Sequence, residues 1–155
     1  MGRIYTAVFN NVAVTAVQDL FEIVAPADSI VVVHDLHISQ NSDLGDAAEE
    51  ILRIELTSGH TTSGSGGSAP TAIPAQFQDS AFGGTVEVNN TTQASAGTIV
   101  THYVWNWNIR VGFDKIWTPE TRPVIAPSRR MCVELPAAPA DSLTMSGSIT
   151  FEEIG

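Results

Sequence analysis

The chain has 155 residues, 17 acidic against 7 basic, a formal net charge of −10 and one cysteine, Cys132. That length suits one domain, 1–155, with its own hydrophobic core, and one cysteine excludes an internal disulfide. Lys115 is the only lysine, so no basic stripe exists to displace counterions from phosphates. Nucleic acid is excluded as a partner on that ground, and an anionic membrane is disfavoured.

The N-terminal stretch MGRIYTAVFNNVAVTAV has no signal-peptide core, because Asn10 and Asn11 interrupt it. Synthesis in a cytoplasm without a leader is the expectation. Gly2 and Thr6 fit a myristoylation pattern, but the residues after them read as strand. RIYTAVF opens as a strand, Asn10-Asn11 suggests a hairpin-like corner, and VAVTAV resumes. DLFEIVA follows and Pro26 ends it. In SIVVVHDLHISQ, Ile30, Val32, His34, Leu36 and Ile38 share one face by period-2 alternation; Val31, Val33, Asp35, His37 and Ser39 share the other. NSDLGDAA reads as a loop. EEILRIELT alternates, with Leu52, Ile54 and Leu56 inward, which argues against a helix over DAAEEILRIEL.

Residues 57–76, TSGHTTSGSGGSAPTAIPAQ, form the one low-complexity segment and read as a flexible loop. A loop this long within a compact domain is uncommon and often functional. FGGTVEVNN is a short strand, IVTHYVWNWNIRVGF the longest, and DKIWTPETRP a polar connection. A strand follows at about 129–135. In DSLTMSGSITFEEIG, Leu143, Met145, Ile149 and Phe151 share a face. Roughly eight to nine strands with no strong helix predict an all-β antiparallel β-sandwich, best accommodated as a jelly roll. No fixed-period repeat points to a propeller or solenoid.

A search for chemistry returns little. His34 and His37 are three apart, so on a strand they point to opposite faces and do not converge on one ion. His34 reads as a core histidine and His37 as a surface partner of Asp35. No GxSxG elbow is present. Glu49-Glu50 and Glu152-Glu153 are adjacent and face apart, unlike a glycosidase pair. Gly64 to Ala69 matches a relaxed dinucleotide fingerprint, but Pro70 and Pro74 prevent the helix it requires. NSDLGD is too sparse for an EF-hand. Cys132 in RRMCVEL reads as a small buried side chain. No catalytic, cofactor or metal residue is assigned. A further reading, an enzyme using His34, His37 and His102 as metal ligands, has no convergent motif behind it.

In THYVWNWNIRVGF the odd positions Tyr103, Trp105, Trp107 and Ile109 are apolar, and Asn106, Asn108 and Arg110 alternate with them. Burying two indoles removes on the order of 400 Å² from water, roughly 10 kcal/mol gross. Trp105 and Trp107 are therefore expected inside. Trp117, bracketed by prolines in a polar stretch, is the expected exposed anchor.

Taken together, RIYTAVFNNVAVTAVQDLFEIVAPADSIVVVHDLHISQ, WNWNI and the closing SGSITFEE resemble small structural proteins of tailed bacteriophages, over most of the length. The resemblance implies a β-sandwich or jelly-roll subunit of the capsid-decoration (cement) kind. Such a subunit sits on the outer phage head as a homo-oligomer, commonly a trimer, with the major capsid protein or another virion protein as partner. The sequence thus predicts a non-enzymatic virion protein. Candidate contact residues are Arg3 and Tyr5 near the N-terminus, His60 in the low-complexity segment, Asn106, Asn108, Arg110 and Trp117. The alternative is a carbohydrate-binding module or tail adhesin with exposed tryptophans.

Overall fold

The computed structural model describes residues 2–42 and 50–155. The segment 43–49, which holds most of the expected NSDLGDAA loop and Glu49, lies outside the described residues.

The strands are β1 Arg3–Val14, β2 Gln18–Val24, β3 Ile30–Gln40, β4 Ile51–Thr62, β5 Ile73–Pro74 and β6 Thr85–Asn90. They continue with β7 Ser95–Asn108, β8 Phe113–Ile116, β9 Val124–Ile125, β10 Arg130–Leu135 and β11 Leu143–Ile154. One sheet runs β5-β1-β11-β3-β8, with β9 also on β3; the other runs β6-β2-β10-β4-β7. All pairings are antiparallel. Without the short additions, the sheets are β1-β11-β3-β8 and β2-β10-β4-β7. That is the strand order of an eight-stranded jelly roll, the expected fold. β5 and β6 belong to an insertion between β4 and β7 that extends the β1 and β2 edges.

The core forms because each strand turns its apolar alternates toward the other sheet. Phe9, Leu36, Ile149 and Phe151 from the first sheet and Phe21, Ile54, Leu56 and Val133 from the second belong to one buried cluster. Phe9 meets Phe21 across the gap with ring centroids 5.2 Å apart.

Bulges change faces that plain alternation assigns, among them these three. At Asn10-Asn11 the chain does not turn back. Phe9 pairs with Gly147 and Val12 with Met145, so β1 carries one extra residue there and continues as a single strand, with Asn11 at φ 52°. In β3, Val33 pairs with Phe151 and Asp35 with Thr150, leaving His34 as the extra residue. Val31 and Val33 therefore point inward before the bulge, and Leu36 and Ile38 after it. His34 leaves the core and bonds Glu152 at 3.2 Å, with its side chain 16% exposed. In β7 the register slips at His102, so the alternation expected of the strand holds only from Tyr103 to Ile109.

Residues 57–76 are not a free loop. Residues 57–62 complete β4, and the remainder is fastened by backbone bridges, Ser65 to Thr92 and Ser68 to Val88. The glycines of GSGG serve close approach: a Cβ on Gly67 would lie 2.1 Å from the Val88 carbonyl oxygen. DKIWTPETRP also contributes a strand, β8, which pairs with β3 over Asp35–Ile38.

Candidate functional site

On the outer face of the second sheet, two polar rows cross neighbouring strands. One runs Asn90, Asp19, Glu134, Glu55, and the next runs Glu87, Glu22, Cys132, Thr57. Like charges directly opposite repel, and here they are also buried: Asp19 and Cys132 are 0% exposed and Glu22 1%. The cause is the β4–β7 insertion, whose two passes contact this face. On the outward pass, Ser63 Oγ donates to Glu22 at 2.7 Å and the Gly64 N–H donates to it at 2.9 Å. On the return, the Ala94 N–H donates to Asp19 Oδ2 at 2.7 Å.

Each buried group takes its partners from this frame. Glu22 also pairs with Arg130, Nε to Oε1 at 2.5 Å, and accepts from Asn90. Glu134 accepts from Thr57 Oγ1 at 2.7 Å and faces His60 Nε2 at 2.9 Å. The other ring nitrogen of His60, Nδ1, lies 3.8 Å from Cys132 Sγ. Asp19 Oδ1 has no hydrogen-bond partner.

Cys132, His60 and Glu134 thus form a linear thiol–imidazole–carboxylate arrangement, the order used in thiol catalysis. The electrostatics oppose that use. Burial pushes the Cys132 thiol far up, and the neighbouring Asp19, Glu22 and Glu134 carboxylates push it further. The sulfur has no exposed surface. A reactive thiolate needs an electropositive, accessible setting, and this thiol has neither.

Burial also pushes the Asp19 carboxyl from its ordinary 3.8 up to about 7; the Ala94 N–H opposes this, and Glu134 and Glu22 reinforce it. The groups facing it are Glu22 on its own strand, Glu134 on β10, Asn90 on β6 and Gln93 in the insertion. Between about pH 4 and 7 the folded chain holds a proton on Asp19 that the unfolded chain has released. Stability therefore falls as pH rises through that window and is regained on acidification. In chelator-containing buffer, the denaturation midpoint of Asp19→Asn should lose this part of the pH slope. A variant profile parallel to that of the parent would refute the assignment.

The expected contact residues scatter. Arg3 sits at the surface, paired to Glu153 at 3.2 Å. Asn106 and Arg110 are exposed; Asn108 is half-buried and accepts the Arg110 N–H at 3.1 Å. Three expectations are overturned. Tyr5 is fully buried against Phe82 and Phe151, and its hydroxyl donates to the Ser80 carbonyl at 2.9 Å. His60 lies in the buried cluster. Trp117 is 2% exposed, because β8 carries it into the sandwich against Tyr103 and Trp105. Trp107 is buried and Trp105 half-buried, as alternation predicts. The aromatic face is turned inward, stacked on itself, with Lys115 Nζ 5.8 Å from the Trp117 ring centroid. His34 and His37 lie on the first sheet and His102 on the second, where it bonds Ser58.

Two surface features escaped the sequence reading. Phe77 is 92% exposed in the insertion; its flanking glutamines were the available signal. β7 is an edge strand with no partner on its outer side among the described residues. Its 14 residues include no Asp, Glu, Lys or Arg, and Ile99, Val100 and Val104 stand exposed on it.

No protein-family model matches the chain, and no curated protein does. Among solved structures, the chain is similar to one in "Structure of infectious bursal disease virus Gx strain", at 10% identity and a TM-score of 0.20. The match covers 99% of this chain, which spans 41% of the length of that chain. The jelly-roll assignment rests on the strand order above.

Proposed function

We propose that this chain is a non-enzymatic structural subunit of a virus particle, of the capsid-decoration kind. On this reading it assembles with copies of itself, as a trimer, and grips the major capsid protein at the phage head surface. The carrying observation is β7. A long, partly apolar edge strand is a pairing liability that monomeric proteins blunt with charge, and beyond its bulge at His102 β7 runs regularly from Tyr103 to Asn108. Here the edge is uncharged in a chain of net charge −10. It is the stretch where acidic copies can meet with least repulsion. The jelly-roll connectivity, widely used by viral capsid domains, and the resemblance to phage structural proteins support the same reading. Phe77, an exposed aromatic ring, fits the role of anchor on the shell.

The mechanism is mechanical. Bound subunits bury interface that exists only in the assembled lattice, so the lattice gains stability by mass action. Native mass measurement and co-sedimentation with expanded, undecorated capsids test it. Ile99→Glu with Val104→Glu should convert the oligomer to monomer without loss of fold. Phe77→Ala should weaken capsid binding roughly 30-fold, about 2 kcal/mol. A monomeric parent that sediments with no capsid or virion component overturns the proposal.

A further inference from the structure

At one end of the sandwich a cleft of about 530 Å³ opens between β9 and residues of β4, β7 and β10. Small-ligand sites have volumes of about 300–1,000 Å³. The buried side chains of Ile125 and Met131 give the cleft an apolar floor, and Val124 stands exposed beside them. Part of the wall is bare backbone. Gly59 and Gly97 lie at a register shift between β4 and β7, where a Cβ on either would come 2.0 or 2.2 Å from a carbonyl oxygen of the opposite strand. Both positions therefore exclude a side chain.

The charge of the cleft is opposite to that of the chain. None of its lining residues is Asp or Glu, although the chain has 17 of them, and two are arginines, Arg129 and Arg130. Arg130 is committed: its Nε pairs with Glu22 Oε1 at 2.5 Å, and its Nη1 donates to the His60 carbonyl at 3.4 Å. His60, also on the lining, is paired with Glu134. Arg129 is different. It is exposed, and its side chain has no hydrogen-bond or ion-pair partner among the described residues. Its backbone is held on both sides: the N–H donates to the Ala126 carbonyl at 2.9 Å, and the carbonyl accepts the Ala25 N–H at 3.0 Å. A free guanidinium thus starts from a fixed point on the lining of an apolar-floored cleft.

We propose that this cleft binds a small monocarboxylate with an apolar body, its carboxylate on Arg129 and its body over Ile125 and Met131. The paired N–H donors of a guanidinium match the two oxygens of a carboxylate. One uncommitted cation suits one negative charge, and the net charge of −10 disfavours a polyanion. The exposed hydroxyl groups of Thr61 and Thr98 are further donors on the lining. The site lies within one copy of the chain, so it does not depend on the assembly proposed above.

The test uses the whole purified chain, labelled with ¹⁵N and titrated with 4-methylpentanoate and, separately, with its uncharged counterpart 4-methylpentanamide. The acid should bind saturably and shift the backbone amides of Gly59, Gly97, Ile125 and Arg129. The amide should bind roughly 10-fold more weakly. Arg129→Ala changes an exposed side chain and should keep the parent spectrum elsewhere. It should weaken the acid roughly 10-fold and leave the amide unchanged. Val124→Asp adds a like charge beside the bound carboxylate and should also weaken the acid. A folded parent that shows no saturable shift overturns the site. Equal affinity for acid and amide does so too, as does an Arg129→Ala variant that binds the acid as the parent does.

Discussion

Trp117→Ala should lower the free energy of unfolding by about 3–5 kcal/mol, read from urea denaturation. This residue was expected to be an exposed anchor, and the two roles predict opposite results. An anchor truncated to alanine leaves stability unchanged and weakens partner binding. A core indole leaves a large cavity. The geometry supports the second: Trp117 packs against Trp105 and Tyr103, ring centroids 6.1 and 5.9 Å away, and is 2% exposed. Its backbone N–H donates to the His34 carbonyl at 3.0 Å, closing β8 onto β3. The indole Nε1 is buried without a hydrogen-bond partner, so Trp117→Phe removes a cost while keeping most of the volume. That variant should lose less than about 1.5 kcal/mol. Equal losses for the two substitutions would contradict this account.

Glu22→Ala should be comparably severe, about 3–5 kcal/mol. The carboxylate is 1% exposed and gathers Arg130, Ser63 Oγ, the Gly64 N–H and Asn90 Nδ2. Its removal leaves the Gly64 N–H without its acceptor and the Arg130 guanidinium without its counter-charge, and it loosens the insertion from the sheet. Arg130→Ala should also destabilise. The double variant should lose clearly less than the sum, because the second substitution removes the charge stranded by the first. Arg53→Ala is the control. Its pair with Glu55 is half-exposed on the Arg side, and such pairs contribute about 0–1 kcal/mol. Additive losses at Glu22 and Arg130 would show that the two act independently.

The β content, the sandwich and its jelly-roll form were legible because alternating apolar residues leave few architectures once helices are absent. The inward face of Tyr103–Ile109 and the interior face of β11 were legible for the same reason. Alternation failed where the count of residues between pairings changed. One extra residue at His34 reverses which side faces the core, and nothing in VHDLH marks it. The inserted residue at Asn10-Asn11 left a trace in its asparagines, which tolerate left-handed φ, but that trace reads equally as a turn.

The polar cluster was invisible for a different reason. Asp19, Glu22, His60, Cys132 and Glu134 come from three strands, and of these the sequence marks Cys132 alone as buried. They become a buried site only because an insertion between β4 and β7 is long enough to pass over the outer face and return. Its Gly and Ser residues look like those of a flexible linker, yet they are small because backbone and sheet approach closely there. The sequence thus determined an acidic charge balance and an all-β chain. Tertiary structure decided which polar residues are buried, which tryptophan lies deepest and which edge is left bare. Those outcomes depend on pairings between residues far apart in sequence, and periodicity records only what a residue shares with its near neighbours.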